Sequence, residues 1–230
     1  LKWDTKLYLK YPLQEKFRGI LWNLRMKETI MEKITKEYEV FEYDELSTEA
    51  KEKVLENSRD INCQDYWYEY TLEDMTERLN EMGFEDAEIF FSGFWSQGDG
   101  ASFKAQINID KLCKYYKLNT TFAKLLKAYE ITGKITQSGR YYHSNPMSIE
   151  LDFETKGNYD AIRKIGEARQ ALLDKLSDEF ENKVLTIARN EADKIYDELE
   201  KVYESYLTDE SVIETLKANE FKFLKDGSVF

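Results

Sequence analysis

From Asn158 to Leu207 the apolar residues recur at helical spacing without a break. Ile162, Ile165, Leu172, Leu176, Phe180, Val184, Ile187, Ile195, Leu199, Val202 and Tyr206 make one stripe, and the opposite face is dense in Asp, Glu, Lys and Arg. That period marks an amphipathic helix. One rod of about 70 Å is expected at a rise of 1.5 Å per residue. A bent pair broken near Ser177 is the alternative. Either form needs an apolar surface to lie against, so the remaining segments are read for what could supply it.

Two stretches upstream change to a period of two. Ile89, Phe91, Gly93 and Trp95 alternate with Phe90, Ser92 and Phe94. Past Ser96-Gln97-Gly98-Asp99-Gly100, the residues Ala101, Phe103, Ala105, Ile107 and Ile109 alternate with Ser102, Lys104, Gln106 and Asn108. Alternation on both sides of a Gly/Asp turn predicts a β-hairpin. A second hairpin is predicted from Tyr129, Ile131 and Ile135, a turn at Ser138-Gly139, and a return through Met147, Ile149, Leu151 and Phe153. Pro146 should mark an edge or a bulge, because it has no N–H for a ladder.

The other segments are shorter. Residues 37–43 alternate and predict a strand. Helices are expected over 48–60, with Ser47 or Thr48 as cap, and over 65–82, stopped by Gly83. Short helices follow around Leu112, Cys113 and Tyr116, and then from Asn119-Thr120-Thr121 through Leu126. Asp209 is expected to cap a last helix, and the chain to close in a short strand and turn. The fold class is therefore α+β: a mostly antiparallel sheet of two hairpins plus terminal strands, packed with helices, with a long charged C-terminal helix or helix pair. Residues 1–36 read as an N-terminal extension with helix as its candidate structure, and Met26 or Met31 as a candidate domain start. Residues 37–230 read as a single domain.

The formal charge is −12. Such a surface repels a phosphate backbone and attracts a basic partner, so direct nucleic-acid binding is not expected. No apolar run reaches the ~18–20 residues that span a bilayer, and no membrane role is expected. The two cysteines, Cys63 and Cys113, stand far apart and read as free thiols of a reducing cytoplasm.

Enzyme signatures are weak. The glycines of Gln97-Gly98-Asp99-Gly100 lead into a strand, whereas nucleotide loops lead into a helix N-terminus. Asp99 alone is no calcium loop. His143 is the single histidine, which excludes a multi-histidine zinc site, and no nucleophile elbow accompanies it. No catalytic residue, cofactor or metal is assigned. What remains is surface: Phe90, Phe94, Tyr141 and Tyr142 are placed on strand faces that cannot all enter one core. Exposed aromatics beside a polar turn suit protein contact. The candidate contact residues are Phe94, Trp95, Gln97, Asp99, Tyr141, Tyr142 and His143.

The strings YEVFEYDELSTEAKEKV, FFSGFWSQGDGASF, SGRYYHS and DESVIETLKANEFKFLKDG, in this order between Tyr38 and Gly227, are similar to a family encoded mainly by bacteriophages and prophages. It is often labelled an antitoxin of a toxin–antitoxin stability system. The resemblance implies a phage–host setting and brings no catalytic residues with it. The helix after Asn158 is extended relative to that family's pattern, and residues 1–36 have no counterpart in it.

The expected function is non-enzymatic. An acidic phage-type protein would bind and inhibit or neutralise a basic host protein in the cytoplasm, a toxin or an antiviral nuclease such as a CRISPR effector. The alternative is a small-ligand or nucleotide-binding protein whose pocket gathers Trp95, Gln97, Asp99, Tyr141 and His143, if the two hairpin loops are neighbours. Self-association through the long helix is a third candidate, favoured by any apolar surface left on its stripe.

Overall fold

The computed structural model describes residues 36–64, 66–156 and 167–230. Its contacts divide the chain between Glu39 and Val40, and every described helix and strand lies within Val40–Phe230. The chain is α+β, with a four-stranded antiparallel sheet in the order β1-β2-β3-β4.

Helix α1 covers Thr48–Asn57, where Ser47 accepts the Ala50 N–H as N-cap. Helix α2 covers Glu69–Met82 and stops at Gly83, which takes the left-handed backbone (φ 105°) open to a residue without Cβ. The chain then enters β1 (Phe84–Phe91) and returns as β2 (Ala101–Ile107). Helices α3 (Ile109–Tyr115) and α4 (Ala123–Ala128) carry it to β3 (Tyr129–Gln137) and β4 (Met147–Thr155). Helix α5 runs from Glu167 to Tyr206 and α6 from Asp209 to Ala218.

The apolar stripe of α5 lies on the sheet. Phe180, Val184, Ala188, Ala192, Ile195 and Leu199 are buried in one core with Phe103 and Ile107 of β2, Ile135 of β3 and Met147 of β4. Phe180 meets Phe122 edge-on at 5.0 Å between ring centroids. The helix is unbroken at Ser177, whose hydroxyl donates back to the Leu173 carbonyl at 3.0 Å. Ile162 and Ile165 lie outside the described residues. Leu173 faces inward where the sequence pointed to Leu172, which is 41% exposed. From Phe180 to Leu199 the stripe is therefore taken up by the chain's own core.

Four sequence expectations are corrected. Residues 37–43 form no strand: Phe41 makes one antiparallel bridge with Phe223, and the chain turns at once into a 3-10 turn at Tyr43–Glu45. The closing segment likewise adds only the Phe223–Val229 bridge, so the sheet has no terminal strands. These two segments bridge to each other and neither pairs with the main sheet, so no ladder grows from them. The hairpin strands are also shorter than their alternation. β1 ends at Phe91, and beyond it Gly93 (φ 103°) and Trp95 (φ 66°) take left-handed backbone that turns the chain out of the ladder. Ile109 opens α3 and does not extend β2, because the Asn108 side chain caps that helix through the Lys111 N–H at 3.1 Å. In the same way Thr208, not Asp209, caps α6.

A second, smaller core joins the two ends of this unit. Tyr43, Leu46, Ala50 and Val54 pack with Val212, Leu216 and Phe223. Asn62 ties it together by donating to the Ser211 hydroxyl at 2.9 Å and accepting from the Thr215 hydroxyl at 2.6 Å.

Candidate functional site

The up-and-down strand order puts the β1–β2 loop (92–100) and the β3–β4 loop (138–146) at the same end of the sheet. They touch. A Cβ on Gly98 would stand 2.0 Å from the Tyr141 ring, and one on Gly100 would stand 2.7 Å from the His143 backbone. The glycines thus serve close approach between loops, and Gly98 also needs its positive φ of 94°.

The first loop is braced from within. The Asp99 carboxylate accepts the Ser96 N–H at 2.8 Å, and the Asp99 N–H donates to the Ser96 carbonyl at 3.0 Å. Asp99 is therefore a turn-former here. Gln97 is exposed at the tip. Phe94 turns inward to an aromatic group: Phe91 at 5.0 Å, Tyr203 at 5.2 Å, Tyr196 at 5.3 Å and Trp67 at 6.2 Å. Trp95 sits outside that group, in contact with Phe94 and Tyr203 yet 69% exposed. A bulky residue in the left-handed region costs about 1–3 kcal/mol. An indole held there, facing water, is a strained presentation.

The second loop is fastened to α5. The Arg189 guanidinium donates to the Asn145 carbonyl at 3.0 Å and the Met147 carbonyl at 2.8 Å. Tyr142 is half-buried and stacks on Phe90 at 5.6 Å, with the Lys104 ammonium 4.7 Å from the Phe90 ring centre. Tyr141 is exposed and stacks parallel to His143 at 6.0 Å. Neither tyrosine is on a strand face, as the sequence suggested; the loop carries both. The buried Nδ1 of His143 has no hydrogen-bond partner among the described residues, so no carboxylate orients the imidazole as a triad requires.

The loop neighbours assumed for a ligand pocket are present, but stacked rings and close glycine contacts occupy the space between them. A cleft of about 280 Å³ lies instead between α2 and α5, lined by Met75, Met82, Ile195 and Glu191 and by no residue of either loop. Glu191 is 6% exposed there, accepting from the Tyr116 hydroxyl at 3.0 Å and the Lys194 ammonium at 2.8 Å. Burial, then the Glu191 carboxylate, push the Tyr116 phenol well above its ordinary range. Among the described residues no group of three or more His, Cys, Asp or Glu could hold a metal ion.

Carboxylates act on the Tyr196 hydroxyl, which the Trp95 main chain meets. Burial of the Tyr196 hydroxyl, then the Glu200 carboxylate, with smaller contributions from Asp99 and Asp197, raise that phenol above its usual range. A main-chain hydrogen bond from Trp95 acts the other way. Tyr196 and Tyr203 were not singled out in the sequence. Their spacing of seven on one helix, with Tyr206 three further on, is the signal that marks them as one aromatic face.

A model of a domain of unknown function, DUF8835, matches residues 67–209. The chain belongs to the DUF8835 family. No curated protein matches it, and no solved structure does. The DUF8835 span begins at Trp67, in the aromatic group, and ends just past α5. It contains the whole sheet, its buried core and both loops. The second core falls outside it on both flanks, with Tyr43–Val54 before the DUF8835 span and Val212–Phe223 after it.

Proposed function

We propose that the chain is a non-enzymatic, acidic, phage-type interaction protein that binds and inhibits or neutralises a basic host protein in the host cytoplasm, a toxin or an antiviral nuclease such as a CRISPR effector. The observation that carries this reading is Trp95: an indole 69% exposed, at a strained φ of 66°, on a braced loop set among carboxylates. Backbone strain that persists at an exposed aromatic is characteristic of a contact site. The charge of −12 steers a basic partner toward the tip and raises the association rate. Tyr141 and Gln97 extend the contact, while Phe94, Asp99, Tyr142 and His143 hold the two loops in shape. Neither nucleic acid nor membrane is a partner in this reading; no helix among the described residues is long and apolar enough to cross a membrane.

Capture from a prophage-bearing host with the wild-type chain and with Trp95→Gly tests it. The expected result is a basic protein, identified by mass, retained by the wild type and lost from the variant, with affinity falling steeply as salt rises. Capture indifferent to salt and to Trp95, or turnover of a small molecule that disappears on replacing His143 or Asp99, would overturn the reading.

A further inference from the structure

We propose that the free edge of β4 is a strand-addition site for an extended segment carrying Lys or Arg at alternate positions. β4 pairs with β3 along its full length, from Gln137 opposite Met147 to Tyr129 opposite Thr155. Its other edge has no strand beside it among the described residues; at its start the Met147 carbonyl accepts from Arg189 and the Met147 N–H donates to the Ser144 carbonyl, so the site runs from Ile149 to Thr155. The two edges of the sheet differ in kind. β1 is blunted by a register shift between Glu85 and Glu88, with Asp86 at a φ of 53°. β4 is regular throughout and contains neither Pro nor Gly. Open edges of that regularity are ordinarily protected, and strand addition is what they invite.

Charge selects the occupant. Glu150, Asp152 and Glu154 form an exposed row along the outer face of β4. Glu150 already has a cation across the sheet, Lys134 at 2.9 Å. Asp152 faces Thr132, and Glu154 faces Glu130, a like-charge pair that destabilises the ladder. An added strand with a cation at every second position sets a positive charge beside each carboxylate. Its intervening apolar side chains would cover Leu151 and Phe153, which face the core side but remain only half-buried at this edge. A second copy is a poor occupant, because antiparallel pairing of β4 with β4 brings two acidic rows together.

The test titrates the full chain with three peptides of about ten residues, the length of a strand. One alternates Lys and Val, one alternates Glu and Val, and one has the Lys/Val composition in two blocks. The expected result is that the alternating Lys peptide binds about tenfold or more tighter than the block peptide and slows amide exchange along β4. Asp152→Lys with Glu154→Lys reverses the preference toward the Glu peptide, and Trp95→Gly leaves this binding unchanged, which separates the edge from the loop tip. Equal binding of the block peptide, protection away from β4, or slow β4 exchange in a free chain with the molar mass of a dimer would overturn the proposal.

Discussion

Trp95 and Gly98 stand three residues apart and answer opposite demands. Trp95 has a Cβ where the backbone would prefer none; Gly98 lacks one where any Cβ would strike Tyr141. Trp95→Gly relieves left-handed strain while losing ring contacts with Phe94 and Tyr203, two effects of opposite sign. Its melting temperature should stay near the wild-type value, a change of under about 1 kcal/mol, while partner capture is lost. Gly98→Ala has no such compensation. It should lower stability by about 1–3 kcal/mol in chemical denaturation and free Tyr141 from its stack on His143, seen as a change in the His143 ring resonances.

At the scale of elements, α5 is held by burial and α6 by its start. Phe180 is fully buried between the sheet and Phe122, so Phe180→Ala should cost about 3–5 kcal/mol by urea titration. Thr208→Ala removes the cap on the Ser211 N–H together with the hydroxyl's bond to the Ser205 carbonyl, and should cost about 1 kcal/mol. The C-terminal turn depends on charge. Asp226 accepts from the Ser228 hydroxyl and N–H and from Lys53 of α1, which hold its carboxyl down at about 2. A folded pKa below the unfolded value near 3.8 stabilises the ionised, docked turn above that value. The contribution should vanish as pH falls from about 4 through about 2. Circular dichroism against pH should show this loss in the wild type and a flatter profile in Asp226→Asn.

Across the whole of Val40–Phe230 there are two cores of unequal size, the larger taking in α5 and the smaller α1 and α6. The larger is the DUF8835 core; the smaller rests on seven buried residues and a few exposed ion pairs, such as Lys53–Asp226. Small cores open at lower free energy than large ones. Hydrogen exchange should therefore show α1 and α6 exchanging well before β2. Thiol labelling gives a second readout. Cys113 is buried in the larger core, and burial pushes its thiol up to about 11. It should react at pH 8 only on global unfolding, whereas Cys63, beside the smaller core, should react earlier. Equal rates at the two sites would mean that the cores unfold together.

Local pattern alone carried the elements: two hairpins, the helix stops at Gly83 and after Tyr206, and one unbroken helical face in α5. Each is dictated by periodicity of side chains and by backbone freedom within a few residues, which the sequence states directly. The candidate site was legible in part. The loop residues from Phe94 to His143 could be named from composition, but Tyr196, Tyr203 and Trp67, which seat Phe94, come from helices far along the chain. Whether a strand forms at residues 37–43 depended on finding a partner edge, and only folding showed that Phe223 offers a single bridge. The strain at Trp95, the free edge of β4 and the split into two cores are likewise properties of packing. They arise from which surfaces meet, and a one-dimensional pattern of side chains does not specify that.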